Sequence, residues 1–163
     1  MSQLPLSHRT VFLDINGVRA ARGISADKVS ELAEAGELIW VFNMGLKANS
    51  IRHLRFLARE VANPAGWANM RLPEVIAQIL PVSRQHINGA EIAQWFLVSR
   101  PTACRLGSDL GGTLKNNTWH VERQALAGYL ESRWLGAGAA GREGSPIVTR
   151  GGFEKFPGRR LAR

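Results

Sequence analysis

The chain has 163 residues, 45% hydrophobic and 21% charged. That is too apolar for a disordered chain, and long enough for one ordinary domain or two very small ones. Lysine and arginine number 21 against 13 acidic residues, a net charge of +8, so the chain draws polyanions towards it; nucleic acid and anionic membrane are the usual partners of such a balance. The single cysteine, Cys104, excludes an intrachain disulfide and a shared-thiolate metal site, and suits a reducing cytoplasm. Met1–Thr10 lacks the apolar run of a signal peptide. No stretch approaches the roughly 20 apolar residues of a membrane span, nor is any basic helix long and apolar enough to lie on a membrane.

Val11–Ile15 is a short apolar run with β-branched residues. Asn16-Gly17 follows, and Val18–Arg22 is then too short between glycines to make a convincing first helix. Ser25 is placed to cap a helix over Ala26–Ala35, because its hydroxyl can accept from an otherwise orphaned backbone N–H. Val29, Leu32 and Ala33 recur there at helical spacing, and Gly36 can close the helix in the left-handed conformation. Leu38–Asn43, rich in β-branched and aromatic residues, predicts a strand. Ser50 is expected to cap a helix running to about Val61, with Ile51, Leu54, Leu57, Ala58 and Val61 inward and Arg52, Arg55 and Arg59 on another face.

Asn63-Pro64-Ala65-Gly66 breaks the chain. Pro73–Leu80 can form a short helix, with proline at its first position and Pro81 stopping it. Residues 63–85 are therefore expected to connect a unit over 1–62 to a second over 86–135. In that second unit Gly89–Phe96 reads as a helix, Leu97-Val98 as a turn and Ser99–Leu106 as a second helix. A glycine-rich break over Gly107–Gly112 follows, then Leu114–Val121 with Asn116-Asn117 as a hairpin tip. Arg123–Trp134 is helical by the spacing of Leu126, Tyr129, Leu130 and Trp134. Residues 136–163 are expected to be a flexible basic segment, with one strand around Ile147-Val148-Thr149.

The two halves repeat an order of helix, turn, helix, hairpin, helix. Ile15-Asn16-Gly17 recurs as Ile87-Asn88-Gly89, Ile24-Ser25 as Val98-Ser99, and Val29 and Leu32 as Ala103 and Leu106. A tryptophan stands in each hairpin segment, Trp40 and Trp119. The expected architecture is α+β, mostly helical, with two tandem small winged helix-turn-helix units.

The functional signal lies in Gly89–Leu106. Two short helices crossing steeply need a small residue where they touch, supplied by Ala93, and an apolar residue in the turn, supplied by Val98. Ser99 caps the second helix, while Ala103 and Leu106 point inward. Pro101 falls in the first turn, where its missing N–H is not needed. Arg100, Thr102 and Arg105 then face outward. Arginine can pair bidentately with guanine O6 and N7, and threonine can meet a base edge or a thymine methyl.

Glu91-Ile92-Ala93 through Val98-Ser99-Arg100-Pro101-Thr102, with Trp119-His120-Val121-Glu122-Arg123-Gln124-Ala125-Leu126 behind it, resembles the winged helix-turn-helix of the excisionase and MerR-like proteins. The resemblance covers residues 87–134 well and 11–61 weakly. It implies sequence-specific double-stranded DNA binding, with the recognition helix in the major groove and the wing near phosphates. Arg100, Thr102 and Arg105 would be the base readers, and Lys115, Asn116 and Asn117 the wing tip. Pro146–Phe156 offers a competing wing, in which case Arg123–Trp134 would be an inserted or dimerising helix.

Elsewhere Lys28 could reach phosphate, but Asp27, Glu31 and Glu34 share its helix and DNA repels them. Arg52, Arg55 and Arg59 could follow a phosphate strand or form a solvated face. Trp40, Trp119 and Trp134 suit a core or a subunit contact. The four histidines show no ligand spacing, and no phosphate loop, carboxylate pair or nucleophile with a base stands out. The expected protein is therefore a non-enzymatic DNA binder without cofactor or metal, cytoplasmic and nucleoid-associated. Its partner is double-stranded DNA, bound as one chain across two half-sites, as a homodimer or cooperatively. The named site residues are Arg100, Thr102 and Arg105 for bases, with Ser99, Lys115, Asn116, Asn117, Lys28 and Arg52 for the backbone. The alternative is a protein-interaction module of the same fold within a phage or plasmid assembly.

Overall fold

The computed structural model describes residues 10–45 and 51–136. The fold is α+β, with two three-stranded antiparallel sheets and seven α-helices among the described residues. The chain divides into two compact units. One comprises Phe12–Asn69 with residues 133–136, and the other Met70–Ser132 with residues 10–11.

In the first unit Phe12–Leu13 (β1) leads into Ile15–Arg22 (α1). Asn16-Gly17 reads locally as a turn, but Asp14 overrides it: its carboxylate accepts from the Gly17 N–H at 2.8 Å and starts a helix there. The first helix, which Val18–Arg22 alone left unconvincing, is thus present and begins three residues earlier. Gly23 closes it at φ 65°, and Ser25 caps Ala26–Glu34 (α2) by accepting from the Lys28 N–H at 3.2 Å. Val41–Asn43 (β2) is shorter than the expected strand. The helix expected from Ser50 to Val61 is a correction. Residues Ile51–His53 form a single 3₁₀ turn, Leu54–Leu57 is a strand (β3), and only Ala58–Ala62 (α3) is helical. Ser50 itself lies outside the described residues. β3 pairs with both β1 and β2, as Leu13↔Phe56 and Val41↔Phe56; this two-sided pairing overrides a sequence whose apolar residues also fit a helix. Arg52, Arg55 and Arg59 therefore sit on three different elements and do not form one helix face.

Ile15, Val18, Val29, Leu32, Leu54 and Phe56 belong to one buried core. Glu60 is buried at its edge, where its carboxylate accepts from the Ile39 and Trp40 N–H groups at 2.8 and 3.0 Å. Burial pushes the Glu60 pKa up, opposed by those two donors and by Arg22. Trp40 donates from Nε1 to the Trp67 carbonyl at 3.1 Å and stacks on Trp134 with centroids 5.0 Å apart. Trp134 pairs with Phe42 as a single bridge and donates to the Ile39 carbonyl.

In the second unit Leu72–Ile79 (α4) buries Val75, Ile76 and Ile79. The short helix expected over Pro73–Leu80 within the 63–85 stretch is thus present, one residue earlier in the chain. His86–Asn88 (β4) precedes Gly89–Phe96 (α5) and Arg100–Asp109 (α6). α6 runs through Gly107, where the sequence suggested a break. Thr113–Lys115 (β5) and Thr118–Glu122 (β6) form a hairpin whose two tip residues, Asn116 and Asn117, have φ of 53° and 62°; asparagine tolerates the left-handed region that a two-residue turn of this kind demands. Arg123–Arg133 (α7) follows, its start tied down by Arg123, which donates from Nε to the Leu80 carbonyl at 2.9 Å and from its backbone N–H to Gln85. The expected strand around Ile147-Val148-Thr149 and the basic tail lie outside the described residues.

Both units contain the order β-α-α-β-β-α, preceded in the second by α4, and in both the third strand lies at the centre of the sheet. The caps set the correspondence: Asp14 matches Asn88 and Ser25 matches Ser99. The sequence match of Ile15-Asn16-Gly17 to Ile87-Asn88-Gly89 is therefore out of step by two residues. At the third strand, Leu13↔Phe56 matches Ile87↔Val121, so Trp119 corresponds to Leu54 and the two tryptophans are not equivalent.

Candidate nucleic-acid interface

The pair α5 and α6 is built from its caps. Asn88 accepts from the Glu91 N–H at 2.8 Å, and Glu91 returns by accepting from the Asn88 N–H at 3.1 Å, so two orphan donors of α5 are satisfied. Glu91 is buried and also takes both terminal nitrogens of Arg84, a bidentate pair that holds the Arg84 guanidinium firmly protonated. Leu97 closes α5 in the left-handed conformation, φ 53° and ψ 50°. The Val98 N–H then bonds the Ala93 carbonyl at 3.1 Å, turning the chain through Leu97, Val98 and Ser99 into α6.

Ser99 caps α6 by accepting from the Thr102 N–H at 3.3 Å, and its hydroxyl also bonds the Thr102 hydroxyl at 2.9 Å. Two hydroxyls hold two protons, and only one is used between them. The pair therefore keeps one proton for an outside acceptor. Ala103, Leu106 and Gly107 are buried, while Arg100, Pro101, Cys104, Arg105 and Ser108 are exposed, as is Asp109 at the end of the helix. Neither Arg100 nor Arg105 is in a salt bridge among the described residues. Thr113–Asn117 is exposed throughout, with Lys115 beside the Asn116-Asn117 tip and Leu114 53% exposed.

Ser99, Arg100, Thr102 and Arg105 thus share one capped helix, and Lys115, Asn116 and Asn117 share one hairpin of the same unit. Lys28 and Arg52 belong to the other unit. Lys28 is exposed on α2 beside the exposed Asp27 and Glu31. Arg52 is exposed in the 3₁₀ turn, and by the strand register it corresponds to Asn117. Ser108 joins the outward face of α6 only because the helix continues past Gly107, which the glycine-rich sequence hid.

Among the described residues no group of three or more His, Cys, Asp or Glu side chains is placed to hold a metal, and no helix is long and apolar enough to cross a membrane. Comparison with family models, curated proteins and solved structures returned no match.

Proposed function

We propose that the chain is a sequence-specific double-stranded-DNA-binding protein, a transcription regulator or an excisionase-like factor of a mobile element. In this reading Met70–Ser132 contains a winged helix-turn-helix, with α6 in the major groove and the β5–β6 hairpin as its wing. The observation that carries it is the division of α6: a buried stripe of Ala103, Leu106 and Gly107, and an exposed face on which Arg100 and Arg105 have no carboxylate partner among the described residues. Cations left unneutralised beside a capped helix start suit a phosphate-lined groove. The spare hydroxyl proton of the Ser99–Thr102 pair suits the acceptors that line it, guanine O6 and N7, adenine N7, thymine O4 and phosphate oxygens. The net charge of +8 adds long-range attraction.

Selection of bound duplexes from a random pool, followed by mobility-shift titration of the selected duplex at two salt concentrations, tests this. An enriched sequence whose affinity falls steeply as salt rises is the expected result. Failure to bind any duplex at low salt would overturn it in favour of a protein-interaction module.

A further inference from the structure

We infer that only one of the two repeats reads bases: α6 enters the groove and α2 does not, so one chain recognises a single, unrepeated block of sequence. This rests on the DNA-binding reading above and sharpens it.

The caps Ser25 and Ser99 bring α2 and α6 into step, and from there the two helices compare residue by residue. The inward positions keep their character. Val29, Leu32 and Ala33 are buried in α2 where Ala103, Leu106 and Gly107 are buried in α6. Both repeats are thus under the same packing constraint, and their outward positions are free to diverge. They diverge in charge. Arg100 is matched by Ala26, which packs on the core, Thr102 by Lys28, Arg105 by Glu31, Ser108 by Glu34 and the one acid of α6, Asp109, by Ala35.

On α2 the exposed face therefore holds Asp27, Glu31 and Glu34 against the single cation Lys28. Duplex DNA carries one negative charge per about 1.7 Å of its axis, so this face is repelled where the α6 face is drawn in. The hydrogen-bonding chemistry points the same way. An ionised carboxylate only accepts, whereas the groove edges are richer in acceptors than in donors. The first repeat thus shares the element order of the second but lacks the outward arginines on its second helix.

The test is duplex selection with the full chain in three forms: unaltered, Arg100→Ala/Arg105→Ala, and Asp27→Asn/Glu31→Gln/Glu34→Gln, each checked for folding by circular dichroism. Glu31→Gln alone serves if the triple variant does not fold. The unaltered chain is expected to enrich a single block. The arginine variant should lose it, with affinity for the enriched duplex falling at least about fivefold; the α2 variant should enrich the same block. Two blocks that both vanish in the arginine variant and both persist in the α2 variant also support the inference, as two chains each reading through α6. A block lost or altered in the α2 variant would overturn it, and so would a block that survives the arginine variant; a block gained only when the α2 carboxylates are neutralised supports it, since those charges then kept α2 out of the groove. Absence of binding by the unaltered chain would overturn the DNA-binding reading itself, a separate outcome.

Discussion

Gly107 of α6 lies directly against Trp119 of β6: a Cβ on Gly107 would stand 2.8 Å from both Cβ and Cγ of the tryptophan. The absent side chain is what lets the proposed recognition helix close onto its sheet. It also explains why a glycine sits in the interior of a helix, where it costs about 1 kcal/mol relative to alanine. Gly107→Ala should therefore destabilise the second unit by about 1–3 kcal/mol, the range for overpacking, despite the gain in helix propensity. In a Trp119→Ala background, where Cγ and the ring are gone, the same change should cost less. Urea denaturation of the four chains measures the coupling, and equal costs in both backgrounds would show that the contact does not set the helix position.

Leu97 occupies a left-handed position that Gly23 occupies in the other repeat. A glycine there would relieve backbone strain but loosen the unfolded chain and lose the contacts of an exposed leucine side chain. Leu97→Gly should change stability by less than about 1 kcal/mol as these effects offset. Leu97→Val should cost about 1–3 kcal/mol, because a β-branched residue is poorly tolerated at positive φ. Thermal denaturation separates the two, and a stable valine variant would contradict the backbone geometry.

Glu60 and His53 should give the first unit opposing pH responses. Burial raises Glu60 from 4.5, so the folded state holds its proton more tightly than the unfolded state. That contribution is present below 4.5 and is lost as pH rises through the raised value. Burial, with Arg55 and Arg52, lowers His53 from 6.5. Its contribution is present above 6.5 and is lost as pH falls through the lowered value. The stability difference between the unaltered chain and His53→Asn should therefore shrink or reverse on acidification below 6.5. Glu60→Gln should cost about 1–3 kcal/mol at neutral pH, since an amide oxygen can serve only one of the two backbone donors that the carboxylate serves. Parallel stability–pH curves for the unaltered and His53→Asn chains would refute the histidine assignment.

On DNA, Arg100→Ala and Arg105→Ala should each cost about 1–3 kcal/mol at particular base positions. Lys115→Ala should instead weaken all duplexes alike and lower the salt slope by about 1. Titrations against single-base variants of the selected duplex distinguish them. Uniform losses from the arginine variants would remove their base-reading role.

The local signals of the chain were legible wherever one residue acts on backbone within a turn of itself. Ser25 and Ser99 cap the helices they precede, Asn116-Asn117 turns its hairpin, and Val29, Leu32, Ala103 and Leu106 point inward. The outward set Arg100, Thr102 and Arg105 follows from that same spacing, so the composition of the candidate reading face was already in the sequence. Asp14 was a cap of the same kind, masked by the turn-like Asn16-Gly17 beside it.

What the tertiary structure decided was everything that depends on a distant partner. Leu54–Leu57 has a pattern that fits helix or strand, and its pairing with Phe12–Leu13 on one side and Val41–Asn43 on the other settles it. The register of the repeat came from caps and strand pairs, not from the Asn-Gly identity, and it is this register that sets Glu31 against Arg105. Gly107 is a helix residue because Trp119 stands over it. Helix caps and turns act through backbone groups a few residues away and are written locally; sheet pairing and close packing bring together residues far apart in the chain, and no local pattern contains them.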